Sequence, residues 1–174
     1  MRSIIFVLAA AASMAGIAAH NAQAPNKTAA VSTPVYVTKL PAGYRDYRLI
    51  SVAHEAGGLN SLGAVLGNDV AIRAYRNKTL PFPDGTIIVA LHFTHSPNDE
   101  NNKIFGQPQS FTPGKPTNTQ VMIKDSRKYA ATGGWGFGHF NPDGSLGTEA
   151  QMKTCYPCHA RDTAHDLVFT QYAP

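Results

Sequence analysis

The feature that most constrains the chain is a short motif near its end, Cys155-Tyr156-Pro157-Cys158-His159. The pattern C-x-x-C-H is the attachment sequence of c-type haem, in which each thiol adds to one vinyl group and the imidazole becomes the proximal axial ligand. We expect the motif on the first turn of a helix, where this spacing turns both thiols to one side. The chain has only two cysteines. The sequence therefore predicts one covalently bound haem c, with His159 on the iron.

Three other uses of the motif explain these residues less well. A disulfide between Cys155 and Cys158 would leave His159 without a role. A zinc site takes four protein ligands, or three and a water, and the chain has no second cysteine pair at metal-binding spacing. A thioredoxin-like redox pair needs a βαβ unit after the motif, and only residues 160–174 follow.

Residues 1–24 have the pattern of a secretory signal peptide. Arg2 gives a positive start, residues 3–19 are almost all apolar or small, and Ala22-Gln23-Ala24 fits a cleavage site. Pro25 is unfavourable directly after that site, so cleavage would fall nearby or the segment would stay as an anchor. Haem is attached to C-x-x-C-H outside the cytoplasm. The signal and the motif together predict a periplasmic protein that is free of the membrane once the signal is cleaved.

The composition favours a globular chain and argues against nucleic-acid binding. Apolar residues make up 43% and charged residues 15%, and the formal net charge is +4. The basic residues form no cluster of the kind that nucleic-acid binding needs. A mildly basic surface could dock an acidic redox partner protein, although solubility alone explains it as well. We divide the chain into a signal peptide (1–24), a linker (25–40) and one domain (41–174).

The apolar periodicity predicts several short strands and few helices. The candidate strands are residues 48–54, 62–66, 86–93, 120–124 and 133–140, with a further short one at 35–38. Asn68 is a candidate N-cap for a helix that ends near Asn77. Asp125-Ser126 could cap a short helix, and residues 96–116 are predicted to form a long polar loop.

The end of the chain completes the predicted fold. The haem-attachment helix is followed by residues 166–172, in which Leu167, Val168 and Phe169 are candidate core anchors. Together these elements predict an α+β fold, a mainly antiparallel sheet with a few short helices and a C-terminal haem-attachment helix.

Residues 133–140 alternate between glycine and large side chains. On a strand, Trp135, Phe137 and His139 would share one face, and Gly134, Gly136 and Gly138 the other. A face of bare backbone allows close approach. Either the haem lies beside this strand, or another element packs on it; the sequence leaves both interpretations open.

The second axial position of the iron decides the function class. Electron carriers fill it with a protein side chain, whereas haems that bind ligands leave it open. None of the candidate sixth ligands stands in a local motif that marks it, so we predict an open or water-filled position. The candidates are Met122, Met152, His54, His92, His95, His139 and His165.

Several segments resemble the cytochrome P460 family over about residues 41–174. They are residues 83–86, 121–130, 134–137, 155–159 and 166–172. The resemblance implies a small periplasmic monohaem protein, largely antiparallel β and usually a homodimer, with a five-coordinate haem on His159. The best-known members oxidise hydroxylamine, and the related cytochromes c′-beta bind nitric oxide or carbon monoxide without that chemistry.

The chain departs from the hydroxylamine-oxidising members at a position that matters for chemistry. The resemblance places a lysine that is cross-linked to haem at Ala90, and Ala90 has no amine. No carboxylate is evident around Gln120, so His92 is the candidate proton carrier. Phe82 aligns with an aromatic that lines the distal pocket, and Trp135 is a second candidate haem contact.

We therefore predict redox chemistry on, or binding of, small nitrogen compounds such as hydroxylamine or nitric oxide. The alternatives are a nitric oxide- or carbon monoxide-binding protein without turnover, and a simple electron carrier. Whether the protein is an enzyme stays open on the sequence.

Overall fold

A single antiparallel sheet organises the described part of the protein, which in this computed structural model is residues 36–173. Its five strands follow one another in the order of the sequence, and each pairs with the next. They are β1 (Arg48–Glu55), β2 (Ser61–Gly67), β3 (Ile87–Pro97), β4 (Phe111–Lys124) and β5 (Trp135–Phe140). The predicted α+β fold, with its mainly antiparallel sheet, is confirmed.

Three short helices accompany the sheet. They are α1 (Asp69–Arg76), α2 (Asp99–Phe105) and α3 (Glu149–His159). Single 3-10 turns occur at Tyr44–Asp46, Ala130–Thr132 and Thr163–His165. None of the helices within residues 36–173 has the length and apolar character to cross a membrane.

Both faces of the sheet are covered, and this explains the apolar run at the start of β3. On one face, Ile88 packs in a cluster with residues of α1 and of the C-terminal segment. On the other face, Val89 packs with Val37 and Phe140. Only the first residues of this strand are fully covered, since its side chains are half-buried from Ala90 to Ser96.

The predicted helix after Asn68 forms where it was expected. The Asn68 side-chain oxygen accepts hydrogen bonds from the backbone N–H of Ala71 at 3.0 Å and of Ile87 at 3.2 Å. Its amide donates to the Gly85 carbonyl at 2.8 Å. One side chain therefore caps α1 and also fixes the turn that leads into β3.

The predicted long loop at residues 96–116 is wrong. Asn98 caps α2 by accepting a hydrogen bond from the Asn101 N–H at 2.9 Å, and β4 begins at Phe111. Pro113 and Pro116 are tolerated because β5 pairs only with residues 119–124 of β4. The first half of β4 is thus an edge, where a missing N–H costs no ladder bond.

Two smaller expectations also differ from the structure. Asp125 caps a turn and not a helix, since its Oδ1 accepts from the N–H groups of Arg127 and Lys128. Residues 36–38 form no strand, and Val37 makes one backbone hydrogen bond, to the Phe137 carbonyl at 2.9 Å. The predicted signal peptide (1–24) and the linker up to residue 35 lie outside the described residues and stay predictions.

Candidate haem-binding site

One face of the sheet, α3 and the C-terminal segment enclose a cleft of about 560 Å³. Side chains alternate along a strand, so every second residue of the central strands faces it: Ala90 and His92 on β3, Gln120 and Met122 on β4, and Phe137 on β5. The volume is within the range of about 300–1,000 Å³ that is usual for cofactor pockets. The cleft is thus large enough for a macrocycle.

Helix α3 carries the C-x-x-C-H motif to this cleft. It starts with a capping box, in which the Thr148 hydroxyl accepts from the Gln151 N–H at 3.3 Å and the Gln151 side chain accepts from the Thr148 N–H at 2.8 Å. Because the box starts the helix at residue 149, the motif lies on its last turns, and the expected first-turn position is wrong. Cys155 lines the cleft, and both thiols are free.

Cys158 lies one turn after Cys155 and is exposed. Residues three apart on a helix are neighbours on its surface, so the two sulfurs can both bond to one prosthetic group. Burial raises the pKa of the Cys155 thiol, and the nearby Cys158 adds to that rise. The Cys155 thiol is therefore held in its neutral, protonated form at neutral pH.

The His159 imidazole is oriented by a backbone carbonyl. Its Nδ1 lies 2.7 Å from the Leu167 carbonyl oxygen. A carbonyl can only accept, so Nδ1 carries the proton and Nε2 keeps a free lone pair, which is the form that binds metals. Burial lowers the pKa of His159, against smaller opposing effects of the Leu167 carbonyl and Asp162. The ring is therefore neutral and prepared to ligate.

Two aromatic rings fix the same imidazole from its sides. Phe169 stacks on it with the ring centroids 4.7 Å apart, and the Phe137 ring lies 5.0 Å away. Phe169 was predicted to be a core anchor, and this is wrong, since 51% of it is exposed. Leu167 and Val168 are buried as expected. No sequence signal marked Phe169 or the Leu167 carbonyl, because their roles depend on how the chain turns after α3.

The glycine face of β5 packs against other elements. A Cβ on Gly136 would overlap the ring of Tyr129, and one on Gly138 would lie 2.7 Å from the Val37 carbonyl oxygen. Phe137, on the opposite face, lines the cleft. The glycine face is therefore closely packed, by Tyr129 and Val37 and not by a helix. Gly138 also lines the cleft, and the position of this strand beside haem stays a prediction.

The two further candidate haem contacts, Phe82 and Trp135, lie in the core and are not among the cleft-lining residues. Both are buried, and their rings meet edge to face with centroids 5.8 Å apart. Phe82 borders a second, smaller cleft of about 240 Å³. The Trp135 indole nitrogen has no hydrogen-bond partner among the described residues. Their haem contacts stay predictions.

Of the seven candidate sixth ligands, His92 and Met122 line the cleft. The other five have different surroundings. Met152 is buried on α3, His139 lies beside Gln151, His54 and His95 stack on each other, and His165 pairs with Asp162.

His92 and Glu55 form the polar end of the cleft. The His92 Nδ1 lies 3.9 Å from a Glu55 carboxylate oxygen. Burial lowers the pKa of His92, and the Glu55 charge opposes this to a smaller extent. Burial also lowers the pKa of His139, with a further contribution from His92. The polar end thus holds one neutral imidazole, that of His92, which can accept a proton.

The position matched to the cross-linking lysine is within the cleft. Ala90 lines it. Lys78, a lysine that precedes the turn before β3, borders the smaller cleft instead. Within residues 36–173, no three His, Cys, Asp or Glu side chains are grouped so as to hold a metal ion by themselves. His159 is thus the ligand around which a metal site would have to be completed by a prosthetic group.

A roomy cleft, a thiol on its wall and one neutral, oriented imidazole are what a covalently attached haem requires. The residues present fit that group, and they define a c-type haem protein built on an antiparallel sheet. The sequence model of the Cytochrome P460 family matches residues 41–170 of the chain. The chain belongs to the cytochrome P460 family and is a c-type haem cytochrome. No curated protein matches the chain closely enough to be reported as a relative.

Proposed function

We propose that the protein is an exported monohaem cytochrome that binds nitric oxide or a related small nitrogen compound at the open side of its iron. Cys155 and Cys158 hold the haem, and His159 is its only axial ligand from the protein. This proposal rests mainly on the observation that Cys155 and His159 line the same cleft. The His159 Nδ1 is held there at 2.7 Å from the Leu167 carbonyl oxygen.

The chain's own groups have distinct tasks in this proposal. In attachment, each thiol forms one C–S bond, and its hydrogen passes to the other carbon of the vinyl group. Bound haem supplies a Lewis-acidic, redox-active iron. The apolar part of the cleft, with Val65, Ile88 and Met122, favours a neutral diatomic ligand, because burial of a charge without a partner is costly.

Oxidation of hydroxylamine is the second candidate function. His92 and Glu55 favour it, since this chemistry needs a positioned proton acceptor and both side chains line the cleft. Ala90 argues against it, because the family's lysine cross-link cannot form at this position. We therefore place ligand binding first. A simple electron carrier would need Met122 or His92 on the iron.

The spectrum and mass of the purified holoprotein test the proposal. We expect the mass of the polypeptide plus one haem, an ordinary c-type Soret band, and binding of nitric oxide and carbon monoxide by the ferrous form. Hydroxylamine with an electron acceptor should give no turnover. Protein recovered from the periplasm without covalent tetrapyrrole would contradict the whole proposal, and a methionine–iron charge-transfer band would support a carrier.

The remaining expectations of cellular context are tested separately. N-terminal sequencing of the periplasmic protein would give the cleavage site near residue 24. Sedimentation of the holoprotein would test the homodimer that the resemblance implies. Cross-linking to an acidic electron-transfer protein, at low and high salt, would test for a redox partner.

A further inference from the structure

Lys124 and Asp166 form a buried ion pair beside the cleft. The Lys124 Nζ lies 2.8 and 2.9 Å from the two Asp166 carboxylate oxygens, and 7% and 14% of the two side chains are exposed. The Nζ also donates to the Gly133 carbonyl at 3.2 Å and lies 5.0 Å from the Trp135 ring centroid. Neither member of the pair lines the cleft, so neither can act on a bound ligand directly.

Asp166 also holds a strained turn. Asp166 and the next residue, Leu167, both have left-handed backbones, with φ of 52° and 68°. For residues other than glycine, this conformation is costly and persists only where the surroundings fix it. Here the Asp166 carboxylate accepts from the Phe82 N–H at 2.8 Å as well as from Lys124. Two separate parts of the fold therefore hold the carboxylate in place.

The strained turn determines where the Leu167 carbonyl points. The Leu167 N–H donates to the Asp162 carbonyl at 2.8 Å, and its side chain is buried near Gly133. With the residue fixed on both sides, its carbonyl oxygen meets the His159 Nδ1 at 2.7 Å. An ion pair that never touches the imidazole is thereby connected to it through one residue of backbone.

We propose that Asp166, anchored by Lys124, is a positioning residue for the axial histidine, His159. The inference rests on the proposed ligation of iron by His159. A hydrogen bond from the far nitrogen of a ligating imidazole fixes its orientation and raises its basicity, and a more basic axial ligand favours ferric over ferrous iron. Lys124 and Asp166 therefore keep the reduction potential low by holding the Leu167 carbonyl against Nδ1.

The conservative variant Asp166→Asn tests this role. Asparagine tolerates the left-handed conformation and still offers an oxygen to the Phe82 N–H, but it loses the charge that pairs with Lys124. In the holoprotein we expect a more positive midpoint potential. We also expect a lower iron–histidine stretching frequency in the resonance Raman spectrum of the ferrous form. The matched control is Asp69→Asn, which breaks the exposed pair with Arg48 and should leave both measurements unchanged.

A second pair of variants keeps the test decisive if Asp166→Asn fails to fold. Lys124→Met removes the cation but fills a similar volume, and Lys124→Arg keeps the charge. We expect Lys124→Met to make the midpoint potential more positive and to lower the iron–histidine frequency, as Asp166→Asn does. Lys124→Arg should stay close to the wild type in both measurements. A merely structural ion pair would lower the melting temperature in Lys124→Met while both haem measurements stayed at wild-type values, and that result would overturn the inference.

The wild-type protein separates this inference from the proposed function. If its ferrous Raman spectrum lacks an iron–histidine band, or if His159→Ala keeps the wild-type spectrum, the proposed ligation has failed and the positioning role fails with it. If the band is present and depends on His159, but neither Asp166→Asn nor Lys124→Met moves it, only the positioning role is wrong.

Discussion

His92 is a half-buried imidazole with one carboxylate neighbour, Glu55, and its protonation should govern part of the pH dependence of stability. Because burial lowers its pKa from an ordinary value near 6.5, the unfolded chain binds the proton first as the pH falls. The free energy of unfolding should therefore decrease below about pH 6.5, by at most about 1.4 kcal/mol per pH unit for one proton. His92→Gln should flatten this dependence. Chemical denaturation of the holoprotein between pH 7.5 and 5.5 measures it.

Glu55→Gln is the informative partner variant for this prediction. Removal of the carboxylate takes away the one charge that opposes the effect of burial on the pKa of His92. The loss of stability on acidification should then be steeper than in the wild type. If the free energy of unfolding fell equally steeply with decreasing pH in the wild type and in His92→Gln, His92 would not control the loss of stability in acid. His139, whose pKa is also lowered, would then be the next residue to substitute.

Gly136 shows how one hydrogen atom in place of a methyl group lets two elements meet. A Cβ at this position would overlap the Tyr129 ring, which is itself buried. Gly136→Ala should therefore lower the free energy of unfolding by about 1–3 kcal/mol, as overpacking of a tight core usually does. Gly58→Ala is the matched control, since its Cβ would meet nothing within 4 Å. Denaturant titration of both variants should separate them clearly.

At the scale of elements, α3 depends on its capping box to present the motif. Thr148→Ala removes the side-chain acceptor for the Gln151 N–H, and loss of such a cap costs about 1 kcal/mol. Thr148→Ser keeps the hydroxyl and should behave as the wild type. Thermal unfolding followed by the haem absorption would measure the difference. A Thr148→Ala protein as stable as Thr148→Ser would show that the haem and its thioether bonds hold the helix without the cap.

The elements also show what the sequence could predict. The strand that became β1 and the helix after Asn68 were found because periodicity and capping are local signals. β4 was recognised only from residue 120, since its first half contains Pro113 and Pro116 and looks like a loop. Those prolines fit because no strand pairs with the far side of that half, and this pairing is a property of the sheet that no local window contains.

In the candidate site, too, the residues marked by a local motif could be predicted, and those placed by the fold could not. The motif identified Cys155, Cys158 and His159 as candidates because haem attachment fixes residue types at a set spacing. The Leu167 carbonyl and Phe169 were missed as partners of His159, because the left-handed backbone at Leu167 reverses the chain without a glycine to signal the turn. His92 was identified as a candidate, but only the register of β3 with its neighbours places it in the cleft.

At the scale of the whole molecule, the C-terminal segment closes the cleft against a distant part of the chain. The Ala173 N–H donates to the Ile50 carbonyl on β1 at 2.9 Å, and the Tyr75 hydroxyl on α1 donates to the Thr170 carbonyl at 3.0 Å. Tyr172 borders both clefts and thus forms part of the wall between them. The cleft therefore depends on contacts between residues that are about a hundred positions apart.

The stability of this wall should control access to the haem. The Tyr172 ring stacks on Tyr75 with centroids 5.7 Å apart, and its hydroxyl accepts a hydrogen bond from Arg76 at the surface. Tyr172→Leu removes the aromatic pair and should lower the free energy of unfolding by about 1 kcal/mol. Because the wall is then less stable, hydrogen peroxide should bleach the haem of this variant faster than that of the wild type. Tyr172→Phe keeps the ring and should resemble the wild type in both properties. If Tyr172→Leu were less stable but bleached at the wild-type rate, the segment would support the fold without limiting access to the cleft.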